Sequence, residues 1–278
     1  MTPASKQPQE AGSASVTTPV LEVKDLHVRF EQTGGEPVTV LHGIDLAVHA
    51  GQRLGLVGES GSGKSTVSLT CMGLLPAGAT AAGRVLLNGI DILAGGERSV
   101  RPHRWKDIAM VFQGAMAAFN PVRTIGKQIA EPMLLHRTQP HRKAARAHTK
   151  ELLDLVGLTP GAADRYPHEL SGGMRQRAVI AMALACEPKV LLADEPTTAL
   201  DVIVQAQIAD LLVDLTDRLG LGLVLVSHDL PLVSRYCEHL AVMRHGQVVE
   251  HGPGARLRTD PAHPYTRQLF DASEETAR

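Results

Sequence analysis

The sequence predicts an α/β fold: a buried, largely parallel sheet flanked by helices, with a helical lobe inserted within it. Three observations lead there. Short, almost wholly apolar runs recur at Arg53–Val57, Ile108–Phe112, Val190–Ala193 and Leu223–Ser227. A strand apolar on both faces must be covered on both, and helices between parallel strands supply that cover. Residues 58–65 read Gly-Glu-Ser-Gly-Ser-Gly-Lys-Ser and fit G-x-x-x-x-G-K-[ST]. They follow one of the apolar runs directly, which is where a phosphate loop sits between strand and helix. From Ile125 to Ala185 the apolar period is helical, with Pro132, Pro140, Gly157 and Pro160 as breaks. That stretch reads as the inserted lobe.

The remaining elements follow in order. Residues 1–19 are rich in Ser, Thr, Pro and Gln and lack an apolar segment. They read as a flexible tail with no signal peptide. Val20–Phe30 alternates apolar and polar residues and reads as a strand. Thr33–Pro37 is a Gly/Pro turn, and a second strand is expected at Ile44–Val48. A helix should start near Lys64. Val85–Leu87 is a strand closed by the Asn88-Gly89 turn. Met174–Cys186 is helical in period, and strands return at Leu240–Met243 and Gln247–Glu250.

Composition narrows the function classes. The chain has 278 residues, enough for one large domain or a core with a lobe, and enough to bury a core without disulfides. Net charge is −1, so no basic excess points to nucleic acid. The cysteines Cys71, Cys186 and Cys237 are odd in number and lie far apart. That argues against a disulfide framework or a zinc or iron–sulfur site, and for a reducing cytoplasm. No run approaches the ~18 apolar residues of a spanning helix. The most apolar, Leu219–Val226, contains two glycines. Membrane association would therefore come through a partner.

The phosphate loop specifies chemistry. Gly58, Gly61 and Gly63, with Ser60 and Ser62 between them, let successive N–H groups face one anion at a helix N-terminus. Lys64 would reach the β- and γ-phosphates, Ser65 would place its hydroxyl on Mg²⁺, and Thr66 would lie near the α-phosphate. Val190–Ala193 runs into Asp194 and Glu195, and carboxylates at the end of a buried strand need a partner such as a metal. Asp194 is the candidate Mg²⁺ ligand through water, and Glu195 the candidate for polarising the attacking water. One metal, one lysine and one base suffice for phosphoryl transfer, which needs mainly positioning and charge neutralisation.

The octet Leu170-Ser-Gly-Gly-Met-Arg-Gln-Arg177 resembles the signature of ATP-binding cassette (ABC) ATPases. The resemblance covers roughly Val20 to Ala272. It implies a P-loop NTPase (RecA-like) core with a mostly parallel sheet, an antiparallel β subdomain, and an α-helical subdomain inserted at about 114–186. One cassette would span 20–278, ending in a family segment at about 252–278. It implies ATP and Mg²⁺ as ligands. In the family the signature of one subunit closes over nucleotide held by another, so Ser171, Gly172 and Gly173 would meet a partner's γ-phosphate. Ser171 also suits an ordinary helix N-cap, and both readings can hold at once. The resemblance makes His228 a γ-phosphate sensor. It makes Gln113 a Mg²⁺ contact that relays nucleotide state through the lobe. Asp201 falls in the interface loop Ala199-Leu200-Asp201. Phe30, the only aromatic before the phosphate loop, is the candidate for stacking on adenine, and a core role is equally open.

Finer features resemble the branch serving peptide and nickel importers. These are Met174 within the signature, the run from Ala193 to Asp201 continuing through Val204–Gln207, and His263-Pro-Tyr-Thr-Arg267. Two departures stand out. Gly114-Ala-Met-Ala-Ala118 precedes Asn120-Pro121 where the branch has Asp-Pro and serines. The chain reaches Arg278 without the cysteines of a cluster-holding extension, so no iron–sulfur cluster is expected. The implied function is ATP-driven uptake of oligopeptides, dipeptides or nickel complexes. The implied partners are two integral membrane permeases, a second, similar or identical ATPase, and an extracytoplasmic binding protein, with no nucleic acid. The implied place is the cytoplasmic face of the cell membrane, as a peripheral subunit. A soluble ABC ATPase of a cytoplasmic complex, of the phosphonate-breakdown kind, is the alternative. An ABC protein of DNA repair or translation would carry a long coiled coil or tandem cassettes, and neither is visible.

Overall fold

The computed structural model describes residues 18–32, 34–114 and 118–276, with side chains to residue 273. The expected tail through residue 17, Thr33 of the expected turn, and residues 115–117 of the unusual segment lie outside the described residues.

Two sheets carry the fold. The first is antiparallel: β1 (Leu21–Phe30), β2 (Val38–Val48), β4 (Ala79–Leu87) and β5 (Ile90–Asp91), in the order β2-β1-β4-β5. The apolar alternation of β1 changes phase between Val23 and Leu26. Asp25, at φ 48°, sits in a register shift between Lys24 and His27 against β4. The extra residue returns Leu26 and Val28 to the buried face, as a β-bulge does.

The second sheet is β3 (Arg53–Val57), β6 (Ile108–Val111), β7 (Val190–Asp194), β8 (Gly222–Ser227), β9 (His239–Arg244) and β10 (Gln247–Pro253), in the order β10-β9-β3-β8-β7-β6. Five strands run parallel, and β10 returns antiparallel along β9. This sheet divides two cores. Val190 and Leu192 of β7 face the antiparallel sheet, with Leu26, Ile44 and Val67. Leu191 and Ala193 face the helices, with Ile129, Leu153, Ile180 and Leu212. Burial on both faces is why the parallel strands read as continuous apolar runs.

The helices are α1 (Lys64–Cys71), α2 (Glu97–Val100), α3 (Ile125–Leu135), α4 (Arg142–Leu155), α5 (Gly172–Ala183), α6 (Val202–Leu219), α7 (Leu230–Tyr236), α8 (Gly254–Thr259) and α9 (Pro264–Thr276). No helix of the described residues is long and apolar enough to cross a membrane.

The structure corrects several boundaries. Pro132 does not break the helix but lies inside α3. It falls in the last turns, where it forfeits one hydrogen bond of a nearly finished ladder, while Ile129, Pro132 and Met133 are buried together. Strands β2 and β4 begin earlier than expected, at Val38 and Ala79. The first residues of β4 are largely exposed and carry no apolar run, and pairing with β1 holds them, whereas β2 opens on Val38-Thr39-Val40-Leu41, a strand-forming run in which Leu41 is fully buried. Helix α5 spans Gly172–Ala183 rather than Met174–Cys186, because Ser171 accepts a hydrogen bond from Met174 N–H at 3.3 Å and so sets its start. Strand β6 stops at Val111, and Phe112 is exposed.

Candidate functional site

The carboxyl ends of β3, β8, β7 and β6 lie side by side, the place where open parallel sheets bind ligands. The phosphate loop runs from the end of β3 into α1. Gly58 has φ 150°, and a Cβ there would lie 2.1 Å from the Met243 carbonyl oxygen. Gly63 has φ 101°, and its Cβ would meet Leu41 at 2.6 Å. Both positions therefore exclude a side chain by conformation and by space.

Lys64 is buried. Its Nζ donates to the carbonyls of Gly58 and Glu59 at 2.7 and 2.8 Å and to Ser62 Oγ at 3.3 Å. Burial lowers its pKa, while Glu195, Asp194 and Glu59 act the other way. Ser60, Gly61 and Ser65 are exposed, and Thr66 is half-buried on the first turn of α1.

Asp194 closes β7 and is buried, and its Oδ1 has no hydrogen-bond partner. Burial pushes its pKa up, opposed by a hydrogen bond from Ser65. An orphaned carboxylate oxygen beside a serine hydroxyl is a hard-oxygen donor set of the kind Mg²⁺ takes. These residues fit the ion.

Glu195 follows in a left-handed backbone conformation, φ 45°, which a non-glycine residue holds only under constraint. Its N–H donates to Val226 O at 2.9 Å. Its Oε2 accepts from Gln113 Nε2 at 2.7 Å and from Thr198 Oγ1 at 2.9 Å, and its Oε1 lies 3.0 Å from His228 Nδ1. Burial alone would raise its pKa. The hydrogen bonds of His228 and Thr198, with the charges of His228 and Lys64, outweigh burial and hold the carboxyl below the ordinary range. Gln113, Glu195 and His228, from three neighbouring strand ends, thus form one hydrogen-bonded cluster. Gln113 is engaged with Glu195 here. Thr198 was not singled out by the sequence. The available signal was a hydroxyl three residues beyond Glu195, and it acquires meaning only once the positive φ turns the carboxylate back over its own turn.

The signature lies apart from this cluster. Ser171 caps α5, and Asp201 caps α6 by accepting from Val204 N–H at 3.0 Å. The two helix starts pack closely: a Cβ on Gly173 would lie 2.7 Å from Val204 Cγ1, and one on Gly172 3.3 Å from Leu200 Cδ2. Beside them Val202 and Ile203 are 79% and 72% exposed. Phe30 also lies outside the cluster. It ends β1, opposite Val38 and Ala79, half-buried against the core on the antiparallel side.

The family model for ABC transporters matches residues 41–198. The chain belongs to the ABC transporter family. The cassette is 46% identical over 261 residues to a putative peptide import ATP-binding protein of Brucella ovis, covering 91% of this chain and 77% of that one. It is 44% identical over 257 residues to the oligopeptide transport ATP-binding protein OppD of Bacillus subtilis, covering 91% and 71%. Among solved structures it is similar to a dimeric ATP-binding cassette in a post-hydrolysis state with ADP and phosphate. The TM-score is 0.74 at 28% identity, over 84% of this chain and 98% of that one. It is also similar to cbiO1 of Clostridium perfringens, part of a cbiONQ transporter complex, with TM-score 0.74 at 25% identity over 94% and 100%. The cassette has the ABC ATPase fold, and it binds and hydrolyses ATP.

Proposed function

We propose that this cassette is the ATP-hydrolysing subunit of a peptide importer, of the branch that also serves nickel complexes. The observation that carries this is the 44–46% identity, across nine-tenths of the chain, to ATP-binding proteins named for peptide import and oligopeptide transport. The partners we assign are two integral membrane permeases, a second cassette and an extracytoplasmic binding protein. Its place is the cytoplasmic face of the cell membrane.

The site's chemistry suits that role. The N–H groups of residues 58–65 cradle the phosphates, and Lys64 exchanges its loop carbonyls for phosphate oxygens. Ser65 and Asp194 would hold Mg²⁺, with Gln113 close by just past the end of β6. There the ion would supply charge neutralisation to the phosphate oxygens. Glu195, ionised and fixed by three donors, orients the attacking water, and His228 beside it meets the γ-phosphate. Ser171, Gly172 and Gly173, at an outward-facing helix start, cap the γ-phosphate held by the other cassette. Asp201 shapes the adjoining interface loop, and Phe30 lies near the adenine. Gln113 lies two residues past the end of β6, on the path to α3, so a change of partner at Gln113 is felt by the helical lobe. ATP closes the cassette pair and hydrolysis reopens it.

The test is capture of the tagged chain from native membranes in mild detergent, followed by peptide uptake in vesicles rebuilt from the captured complex. Two multi-span permeases, a second cassette and ATP-dependent peptide uptake are expected. Recovery of soluble enzymes alone would replace the importer with a cytoplasmic complex.

A further inference from the structure

The motif His263-Pro264-Tyr265-Thr266-Arg267 lies outside residues 41–198 and takes no part in the chemistry above. Tyr265, in the first turn of α9, is 3% exposed. Its hydroxyl accepts a hydrogen bond from the N–H of Glu59 at 3.2 Å. Glu59 is the second residue of the phosphate loop, and Lys64 holds the same peptide segment through the carbonyls of Gly58 and Glu59.

The support behind Tyr265 is itself anchored. The N–H groups of Ala262 and His263 donate to the two carboxylate oxygens of Glu250 on β10, at 2.8 and 3.0 Å. His263 Nδ1 accepts from Tyr265 N–H at 3.1 Å, and Arg267 donates to Pro261 O at 2.9 Å. The Arg244 guanidinium at the end of β9 lies 4.6 Å from the centre of the Tyr265 ring, in cation–π geometry. A second strut comes from the β9–β10 turn, where Gly246 N–H donates to Ser62 O at 3.1 Å. The C-terminal part of the chain therefore grips the phosphate loop at two points.

An anion cradle binds well only if its N–H groups are already in place. Lys64 helps to hold the loop through two carbonyls. Once its ammonium turns to phosphate, those carbonyls lose that donor, and the bond from Glu59 to Tyr265 remains. We propose that Tyr265 is a positioning residue for nucleotide: through the Glu59 amide it fixes the phosphate loop in its binding conformation and so sets the affinity for ATP. The inference rests on the reading that residues 58–65 hold the phosphates of ATP. Tyr265 stands behind the loop and bonds to none of Gln113, Glu195 and His228. Its effect therefore falls equally on ground state and transition state, and appears in KM rather than kcat.

The test is Tyr265→Phe in the full chain and in the captured transporter. This change keeps the ring and its contact with Arg244 and deletes only the hydroxyl. Equilibrium titration with a fluorescent ATP analogue and steady-state ATPase assays are the readouts. Kd and KM are expected to rise roughly three- to tenfold, as loss of the hydroxyl's bonds to the Glu59 amide and carboxylate implies, with kcat unchanged. Phe270→Leu, which loosens a buried residue of the same helix, should lower Tm and leave Kd alone. Unchanged Kd and KM in Tyr265→Phe, or an equal rise in Phe270→Leu, overturns the assignment. If the wild-type chain binds ATP and Tyr265→Phe binds it equally well, the inference fails alone. If the wild-type chain binds none, the reading of residues 58–65 fails with it.

Discussion

At Glu195 a single carboxylate collects donors from Gln113, Thr198 and His228 while its own backbone sits at φ 45°. Constraint of that kind belongs where geometry matters more than local stability. Glu195→Gln keeps the shape and removes the charge. ATP binding should persist while turnover falls by a factor on the order of 10²–10⁴, the usual contribution of a positioned base, measured as phosphate release at saturating ATP. Turnover near wild type would remove Glu195 from the chemistry. Lys64→Ala should weaken ATP binding by roughly 10- to 100-fold, the worth of a charge-assisted hydrogen bond or two, read by equilibrium titration. A pH dependence follows from the lowered pKa of Glu195. A group depressed on folding contributes stability above its unfolded pKa and loses it as pH falls through the folded value. The stability advantage of wild type over Glu195→Gln in denaturant titrations should hold at neutral pH and disappear only below the ordinary carboxylate range. An advantage that vanishes well above that range would contradict the hydrogen-bonded geometry. The placement of Lys64, Asp194 and Glu195 beside the strand ends was legible in the sequence because each follows an apolar run. The contact of Thr198, and that of Tyr265 within the His263–Arg267 motif, were not, since they depend on a backbone angle and on a long-range approach.

Among the elements, the parallel strands were the easiest to read. Residues of β7 alternate between two cores, so no position tolerates a polar side chain until the strand ends at Asp194. Strand β4 was read short because its early residues face solvent and only pairing with β1 makes them a strand, while β2 was read short although Val38-Thr39-Val40-Leu41 carries a strand signal. Pro132 was read as a break because sequence alone does not show that α3 is nearly complete when the proline arrives. Close packing at β3 gives an element-scale test. A Cβ on Gly55 would lie 2.1 Å from Val233 Cγ1 on α7 and 2.7 Å from Leu240 Cδ2 on β9. Gly55→Ala should destabilise by about 1–3 kcal/mol through overpacking, seen as a lower Tm. ATP affinity of the molecules that remain folded should be unchanged. A Tm equal to wild type would mean that α7 is free to shift.

For the molecule as a whole, the division of labour is spatial. The phosphate loop, Asp194 and the Glu195 cluster share the carboxyl-end side of the parallel strands. The signature caps a separate helix, and Ser171 bonds within that helix. The exposed Val202 and Ile203 continue the same face. In the proposed function one cassette offers a phosphate-holding half and a signature half, and the chain belongs to a family whose solved relatives include dimers. In the proposed function a signature acts on nucleotide held by another cassette. The most direct measurement is the ATPase rate of the captured transporter carrying Ser171→Arg, alongside ATP affinity of this chain's own phosphate loop. Unchanged affinity is expected, with turnover reduced at least about tenfold, as when a preorganised anion donor is removed. Wild-type turnover in Ser171→Arg would contradict it, because the signature would then have no part in the reaction.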